Sequence, residues 1–247
     1  MVGAQYPSSR SKVNTEICRL WQHQQMASFY RRHILPPLLD RAMSDRRISR
    51  YRRPVLVPAT GRVLEIGFGT GANLSHYPES IRQLEIVEPD AALNARAERR
   101  LAKSSREVTV HALSAEQLPF DAGSFDTVVS TFTLCSIPDV ASALREIHRV
   151  LKPGGQFLFL EHGLSPEAGV ARWQHRLTPL QKVIGGGCHL NRPMRSLIEH
   201  AGLHVQSSGY EERYAPKLPK IVAWLTSGVA KKRPANEDDG HVMLGGV

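Results

Sequence analysis

Hydrophobic and polar positions along the middle of the chain change between a strand period and a helix period. Five short apolar runs indicate buried strands: RVLEI (62–66), LEIVE (84–88), EVTVHAL (107–113), FDTVVSTF (125–132) and QFLFLEH (156–162). Helical spacing separates them, as in AALNARAERRLAKSS (91–105) and DVASALREIHRVLKPGG (139–155), where KPGG predicts the end of the helix. This alternation predicts βαβ units and an α/β fold with a doubly wound parallel sheet.

The two ends of the chain have different patterns. LHVQSSGYEERY (203–214) and KIVAWLTSGVA (220–230) predict two adjacent strands that form an antiparallel edge pair. Upstream, residues 15–49 have a helical pattern broken at Pro36-Pro37, with an apolar stripe of Ile34, Leu35, Leu38, Leu39 and Met43. We therefore predict a helical extension (1–55), an α/β domain (56–231) and a disordered tail (232–247).

Three glycines follow the first strand in the segment EIGFGTG. Gly67, Gly69 and Gly71 predict a tight turn in which backbone N–H groups approach a bound cofactor without a clash from Cβ. The pattern from Gly67 to Ala72 also fits dinucleotide binding, and Glu88 at the end of strand two suits the ribose hydroxyls of either cofactor class. Glycines that serve only helix–strand packing are the third interpretation.

Glu65 distinguishes these interpretations, because it adds a negative charge to the loop. A carboxylate attracts a sulfonium and an ammonium group, whereas it repels a pyrophosphate. SAEQLPFDAGSFDTVVS (114–130) and RVLKPGG (149–155) follow in the expected places. From about Arg62 to Glu161 the chain resembles class I S-adenosylmethionine-dependent methyltransferases of the type 11, ubiquinone-biosynthesis-like group. The resemblance implies a seven-stranded Rossmann-like sheet and S-adenosylmethionine as the cofactor.

The resemblance also implies roles for individual residues. Those expected at the cofactor run from the methionine portion through the ribose and adenine to the reactive end: Glu65, Gly67, Gly69, Thr70, Gly71, Asn73, Leu74, Glu88, Pro89, Asp90, Ala115, Glu116 and Thr131. An exposed loop acid is the alternative interpretation of Glu116. Asp126, just before strand four, is expected to stabilise its turn.

Segments outside the core bear on the methyl acceptor. FYRRHILPPLLDRAMS (29–44), LCSIPDV (134–140), FLEHGLSPEAGVARWQHRLTP (159–179) and GGGCHLNRP (185–193) resemble thiol S-methyltransferases and their bacterial relatives. Asn191 stands where that group usually has threonine, and asparagine is an equally good helix N-cap. The resemblance implies methylation of a small or lipophilic thiol, sulfide included.

Methyl transfer requires a nucleophile held about 3 Å from the methyl carbon in a site that excludes water. His162, just past strand five, is the candidate base, with Glu161 as a second catalytic candidate. Cys135, Trp173 and His189 are candidate substrate-site residues. The alternatives are hydrogen-bonded structural roles for the histidines and small buried packing for Cys135 and Cys188. No metal site is predicted, since the three cysteines lack CxxC spacing.

Charge widens the set of possible partners. Of a net charge of +9, nine arginines against two acids fall between Arg19 and Arg53, which favours acidic surfaces or a solvated helical face. Three alternatives stay open: a phospholipid-amine or quinone-precursor methyltransferase that docks on membranes through these basic helices, a nucleic-acid methyltransferase, and a non-catalytic S-adenosylmethionine-binding module. The absence of a motif resembling Asn-Pro-Pro-Tyr after strand four argues against nucleic acid.

The predicted location follows from apolar content and cysteine number. No run of about 18 apolar residues and no signal-peptide core occur, and three cysteines are an odd number for a disulfide framework. We predict a cytoplasmic protein with peripheral contact to a membrane. The sequence contains no signal for the oligomeric state.

Overall fold

The computed structural model describes residues 37, 46–89 and 95–233. In these ranges the strands are β1 (Val63–Ile66), β2 (Gln83–Val87), β3 (Glu107–His111), β4 (Phe125–Thr131), β5 (Leu151–His162), β6 (Leu203–Val205), β7 (Glu211–Tyr214) and β8 (Trp224–Lys232). The helices are α1 (Arg46–Leu56), α2 (Ala95–Ala102), α3 (Val140–Val150), α4 (Ala168–Ile184), α5 (Met194–His200) and α6 (Lys220–Ala223).

The strands form one mixed sheet in the order β3-β2-β1-β4-β5-β8-β6, with β7 also paired to β8. The first five strands are parallel to their neighbours, and β8 is antiparallel to β5. β6 pairs with residues 230–232 of β8 and β7 pairs with residues 224–227, so the two short strands share one position. The described sheet thus has seven strand positions, and the predicted doubly wound α/β fold is confirmed.

The predicted edge pair at the end of the domain is correct in one respect and wrong in another. The two segments are adjacent and antiparallel, as predicted. However, β8 is an interior strand between β5 and the β6/β7 position, rather than part of an edge. Its burial explains this position, because Leu225, Thr226, Ser227 and Ala230 are all buried.

The boundary between α3 and β5 lies earlier than the KPGG segment predicts. Asp139 caps the helix by accepting a hydrogen bond from the Ser142 N–H at 3.0 Å. The helix ends at Val150, and Leu151 is already extended, with φ −69° and ψ 135°. Leu151 pairs with Phe125 and Gln156 with Thr127, so the KPGG residues form an irregularity within β5.

Alternating side chains of the central strands feed two apolar layers, one on each face of the sheet. On β4, Val128 joins the layer with α3 and α5, whereas Val129 joins the layer with α1 and α2. On β5, Phe157 and Leu158 divide in the same way. These packed layers fix the carboxyl ends of the parallel strands, where ligands of such sheets bind.

The predicted helical extension lies mostly outside the described residues, as do its apolar stripe and residues 234–247 of the predicted tail. The described helix α1 crosses the predicted boundary at 55/56 and packs Tyr51, Val55 and Leu56 against the sheet. β8 extends to Lys232, one residue beyond the predicted domain end. Among the described helices, none has the length and apolar character needed to cross a membrane.

Candidate active site

The glycine loop joins β1 to the next turn at the carboxyl edge of the sheet. Gly67 and Gly69 have φ values of +74° and +53°, a backbone region that side chains other than glycine rarely adopt. A Cβ on Gly67 would lie 2.2 Å from the Thr133 side chain, whereas a Cβ on Gly69 would meet no atom within 4 Å. The loop is therefore packed against the β4 side and open above Gly69.

The predicted ribose acid contacts this loop directly. Glu88 follows β2, and its Oε2 accepts a hydrogen bond from the Gly69 N–H at 2.9 Å. Thr70 lies in the same loop, and its carbonyl accepts a hydrogen bond from Arg100 at 2.6 Å. Pro89 is exposed, and Asp90 lies outside the described residues.

A buried polar network lies below the loop. The Glu65 carboxylate, 1% exposed, accepts hydrogen bonds from Asn73 Nδ2 at 2.9 Å and from the Tyr77 hydroxyl at 2.8 Å. Arg52 Nη1 donates to Asn73 Oδ1 and to Thr131 Oγ1, both at 2.7 Å. The network therefore connects α1, β1, the glycine loop and the end of β4. Leu74, buried beside Asn73, packs in the apolar layer next to the network.

Burial dominates the electrostatics of this network. It raises the pKa of Glu65 to about 7, although the hydrogen bonds from Tyr77 and Asn73 act in the opposite direction. It lowers the pKa of Arg52 to about 10, against the attraction of Glu65 and Glu161. Arg52 Nε is buried and has no hydrogen-bond partner among the described residues. A buried donor of this kind is costly unless a ligand supplies an acceptor.

The pair after β3 adopts a more local arrangement. Ala115 is buried, and the half-buried Glu116 accepts hydrogen bonds from the Asp139 N–H at 2.7 Å and the Ser114 hydroxyl at 3.0 Å. Glu116 thus connects the loop after β3 to the start of α3. Asp126 accepts hydrogen bonds from the Arg62 N–H and from Lys152, both at 2.8 Å, which fits the predicted structural role.

Glu161 holds the loop that follows β4. Its Oε1 accepts hydrogen bonds from the Ser130 hydroxyl at 2.7 Å and from the N–H groups of Thr133 and Leu134, both at 3.1 Å. Its Oε2 accepts one from the Cys135 N–H at 3.3 Å. Burial raises its pKa despite these donors. The carboxylate is fully buried and committed to backbone groups, so its geometry favours positioning the loop over proton transfer.

His162, Cys135 and Cys188 meet beside this loop, although they come from three separate segments. The Cys188 Sγ lies 3.8 Å from His162 Nδ1, and the three potential ligand atoms all lie within 4.8 Å of one another. Both cysteines are free and buried. A hydrogen bond between the two thiols raises the pKa of Cys135 and lowers that of Cys188.

Phe132 separates this cluster from the buried polar network. Its ring lies 5.2 Å from the His162 ring on one side and 5.3 Å from the Arg52 guanidinium on the other. Phe132 has a φ of +56°, which is rare for an aromatic residue and is typical of strained functional sites. The segment from Thr131 to Thr133 therefore connects the two parts of the site.

The other two substrate candidates differ in their relation to the cluster. His189 contacts it, because its backbone N–H donates to the Cys135 carbonyl at 2.7 Å and its Nδ1 lies 3.2 Å from the same oxygen. Trp173 is 52% exposed on α4, with the Arg176 guanidinium 5.6 Å from its ring. The neighbouring Gln174 is the buried member of the Trp-Gln pair and bonds to Ser165, Gly163 and Ile221.

Sequence reasoning missed Arg52, Tyr77 and Arg192. Arg52 was one of the nine basic residues assigned to an acidic partner, and only the packing of α1 places it inside. Tyr77 follows Asn73 by four residues, a spacing that indicates one helical face. Arg192 donates to the carbonyls of Leu134, Ile137 and Pro138, and no sequence signal marks it.

Comparisons with known proteins agree with this arrangement. A family model described as a methyltransferase domain matches residues 64–159. The chain is 38% identical to the rat thiol S-methyltransferase TMT1B over 56% of this chain and 58% of the rat protein, so that alignment spans little more than half of the relative. With the human TMT1B the identity is 32% over 79% of this chain and 80% of the human protein.

A bacterial relative and a solved structure extend the comparison. The demethylmenaquinone methyltransferase of Thermobifida fusca is 31% identical over 79% of this chain and 78% of that protein. The Burkholderia thailandensis 1,6-didemethyltoxoflavin-N1-methyltransferase, solved with S-adenosylhomocysteine bound, has the same fold, with a TM-score of 0.58 and 16% identity over 94% of this chain and 93% of that chain. The chain therefore belongs to the class I S-adenosylmethionine-dependent methyltransferases, in the family that contains these thiol and demethylmenaquinone methyltransferases.

Proposed function

We propose that the protein transfers the methyl group of S-adenosylmethionine to the sulfur of a small or lipophilic thiol, sulfide included. The observation that carries the proposal is the position of His162, half-buried at the carboxyl end of β5, beside two buried thiols and the segment 131–133 that contacts the glycine loop. The resemblance to TMT1B over four-fifths of the human protein supports the same acceptor class.

The residues present fit the cofactor. Space above Gly69 and the carboxylate of Glu88 suit a ribose, since a carboxylate accepts hydrogen bonds from two vicinal hydroxyls. The buried, unpartnered Nε of Arg52 supplies a donor for the carboxylate of the methionine portion. We assign the remaining cofactor contacts to the predicted residues of the glycine loop and to Ala115 and Thr131.

Glu65 suits the positive groups of the same ligand. Its buried carboxylate has a pKa of about 7, so a bound cation shifts it toward the charged form. When bound, S-adenosylmethionine supplies an activated methyl group on a sulfonium centre. Glu65 and Arg52 then bind and orient charges of opposite sign on the methionine portion.

The acceptor side of the site provides positioning and proton removal. Transfer forms a bond between the acceptor sulfur and the methyl carbon and breaks the bond between that carbon and the sulfonium, whose sulfur takes the bonding electrons. The acceptor must lose its thiol proton, and His162 promotes this loss, because it is the partly exposed titratable group of the cluster. Glu161 positions the loop that carries Cys135.

Methylation of a quinone precursor is the second candidate function. It rests on the similarity to the Thermobifida fusca demethylmenaquinone methyltransferase, whose coverage equals that of the human relative within two percentage points. This reaction forms a carbon–carbon bond and needs no thiol. A phospholipid amine is a third acceptor class, which a liposome substrate tests directly.

S-adenosylhomocysteine production tests the proposal. The purified protein is incubated with S-adenosylmethionine and, separately, with sulfide, short and long alkyl thiols, a demethylated quinone, and phosphatidylethanolamine liposomes. Turnover with thiols alone is the expected result. Turnover confined to the quinone or to liposomes contradicts the thiol assignment, and turnover with none contradicts all three acceptors. Heat-denatured protein gives the background rate for each acceptor.

The predicted location and membrane contact stay predictions, because the basic residues before position 46 lie outside the described part of the chain apart from the neighbouring residue 37. Salt-dependent cosedimentation with anionic liposomes tests that contact, since attraction between basic side chains and anionic lipid weakens at high salt.

A further inference from the structure

Two thiols and an imidazole converge at the acceptor side of the site. Cys135 follows β4, His162 ends β5, and Cys188 follows α4, so 27 and 26 positions of chain separate them in turn. Cysteine thiolate and histidine nitrogen are the ligands that Zn²⁺ prefers in proteins. A set of two sulfurs and one nitrogen also favours zinc over the hard cations that require oxygen ligands.

The distances among these atoms approach those of a tetrahedral site. With Zn–S of about 2.3 Å and Zn–N of about 2.0–2.1 Å, tetrahedral ligand atoms lie about 3.5–3.8 Å apart. Cys188 Sγ and His162 Nδ1 are 3.8 Å apart. The remaining separations are at most 4.8 Å, so closing around an ion requires movement of about 1 Å, within the range of side-chain rotation.

The surrounding contacts hold the ligands from behind. Glu161 accepts the Cys135 N–H, and the His189 N–H donates to the Cys135 carbonyl. The Phe132 ring packs against the His162 imidazole. Second-shell contacts of this kind orient ligands in metal sites. Two thiolates balance a divalent charge, and the charged groups that face them, Arg192 and Glu161, have opposite signs.

We propose that Cys135 Sγ, His162 Nδ1 and Cys188 Sγ bind one Zn²⁺ ion and leave its fourth position open for the acceptor sulfur. The second half of this proposal rests on the thiol acceptor of the proposed function. Three protein ligands with an open position are typical of catalytic zinc, whereas structural zinc has four. His162 then promotes loss of the acceptor proton as a metal ligand.

The chemistry balances without another reactant. The acceptor thiol releases its proton to solvent as its sulfur binds zinc, because the metal stabilises the thiolate. A sulfur lone pair then attacks the methyl carbon, and the carbon–sulfonium bond breaks with its electrons on the cofactor sulfur. The products are a neutral thioether and neutral S-adenosylhomocysteine. A thioether is a weaker zinc ligand than a thiolate, so the methylated product leaves the metal.

Zinc stoichiometry tests the site itself. Reduced, tag-free full-length protein is dialysed against ZnCl₂, desalted, and measured for bound zinc by mass spectrometry of the elements. We expect one zinc per chain in the wild type, and at least a tenfold loss of zinc affinity in Cys188→Ser and His162→Ala. Cys18→Ser and His200→Ala are matched controls that keep wild-type binding. No stoichiometric zinc in the wild type overturns the proposal, as does unchanged affinity in both cluster variants.

Folding and cofactor binding are checked separately, since a variant that fails to fold loses zinc trivially. S-adenosylhomocysteine affinity by calorimetry serves for this purpose, because none of the three proposed ligands belongs to the buried polar network. The wild-type measurement needs no variant and by itself can overturn the site. Alkylation by iodoacetamide offers a second wild-type readout: bound zinc slows the modification of Cys188 if the site exists and leaves the rate unchanged if it does not.

Substitution with Co²⁺ tests the open position. The visible spectrum of the Co²⁺ protein reports changes in its ligands, and we expect it to shift on addition of an alkyl thiol but not of the matching alcohol. An unchanged spectrum in a stoichiometric Co²⁺ protein overturns the acceptor role of the metal. Thiol methylation by zinc-free protein at the full rate also overturns it while the proposed function stands. Stoichiometric zinc without thiol turnover supports the metal site and contradicts the proposed function.

Discussion

The cofactor side and the acceptor side of the site differ in how the chain builds them. Most of the cofactor side comes from one continuous segment, Glu65 to Tyr77, which follows a single strand and closes on itself through hydrogen bonds. The acceptor side is assembled from three segments that meet only when β4, β5 and α4 are packed. A common ligand can thus be held by a local motif, whereas specificity depends on tertiary packing.

The electrostatics of the two sides differ as well. On the cofactor side, charges of both signs are buried together, and Arg52, Glu65 and Thr131 are connected through Asn73. On the acceptor side, the groups are soft and polarisable, and the nearest carboxylate, Glu161, is committed to backbone N–H groups. The first arrangement suits a ligand that carries formal charges, and the second suits a sulfur nucleophile or a metal ion.

The largest expected effect on the cofactor side comes from Arg52→Met. A hydrogen bond to a charged group contributes about 1.5–3 kcal/mol, so we expect the Kd for S-adenosylmethionine to rise roughly 10- to 100-fold. Calorimetry measures it. Arg53→Met is the matched control, because Arg53 is exposed on the same helix. Equal affinities in the two variants contradict a cofactor contact of Arg52.

Glu88→Ala tests the ribose contact. Its carboxylate already lies at hydrogen-bond distance from the Gly69 N–H, and we expect its loss to raise the Kd for S-adenosylmethionine by roughly 10- to 30-fold. Glu79→Ala, which removes an exposed acid, serves as the control. Unchanged affinity in Glu88→Ala excludes the ribose assignment.

The pH dependence of cofactor binding tests Glu65. Burial raises its pKa to about 7, so the carboxyl is largely protonated at pH 6 in the cofactor-free protein. The cationic ligand favours the carboxylate, which means that binding expels this proton and affinity rises as the pH increases through about 7. We expect affinity to be up to about tenfold weaker at pH 6 than at pH 8, with a flatter profile for Glu65→Gln. Identical profiles contradict the assignment.

Trp173→Ala has the smallest expected effect. The side chain is half exposed, so we expect the free energy of unfolding to change by less than about 0.5 kcal/mol. If Trp173 contacts a lipophilic acceptor, the KM for a long alkyl thiol rises about threefold, equivalent to roughly 0.7 kcal/mol, while the KM for sulfide is unchanged. Leu180→Ala, another exposed apolar residue of α4, is the control. An equal effect in both variants removes Trp173 from the substrate site.

The sequence predicts the cofactor side well because its signals are local. The strand, the glycine spacing and the acid after β2 each constrain the backbone within a few residues. Arg52 could not be found in this way, because an arginine-rich helix looks the same whether one side chain points inward or none does. Only the packing of Tyr51, Val55 and Leu56 on the sheet determines that Arg52 is buried.

The acceptor side shows the limit of pattern reasoning more clearly. His162 was identified from its place at the end of a predicted strand. Cys135 and Cys188 were interpreted as packing residues because neither has a metal-ligand neighbour at a standard spacing. Their proximity depends on how the loop after α4 returns over the end of β5, which no local pattern encodes. Glu161 was predicted as catalytic because its bonds to residues 133–135 are equally invisible in sequence.

The central claim is that the two sides of the site act separately, with the cofactor held by one and the acceptor by the other. Steady-state kinetics of His162→Ala with an alkyl thiol, together with the calorimetric Kd for S-adenosylmethionine, test this claim most directly. The account predicts a loss in kcat/KM for the thiol of about 100-fold or more, with the cofactor Kd unchanged within about twofold. Unchanged thiol kinetics, or a parallel loss of cofactor affinity in folded protein, would contradict it.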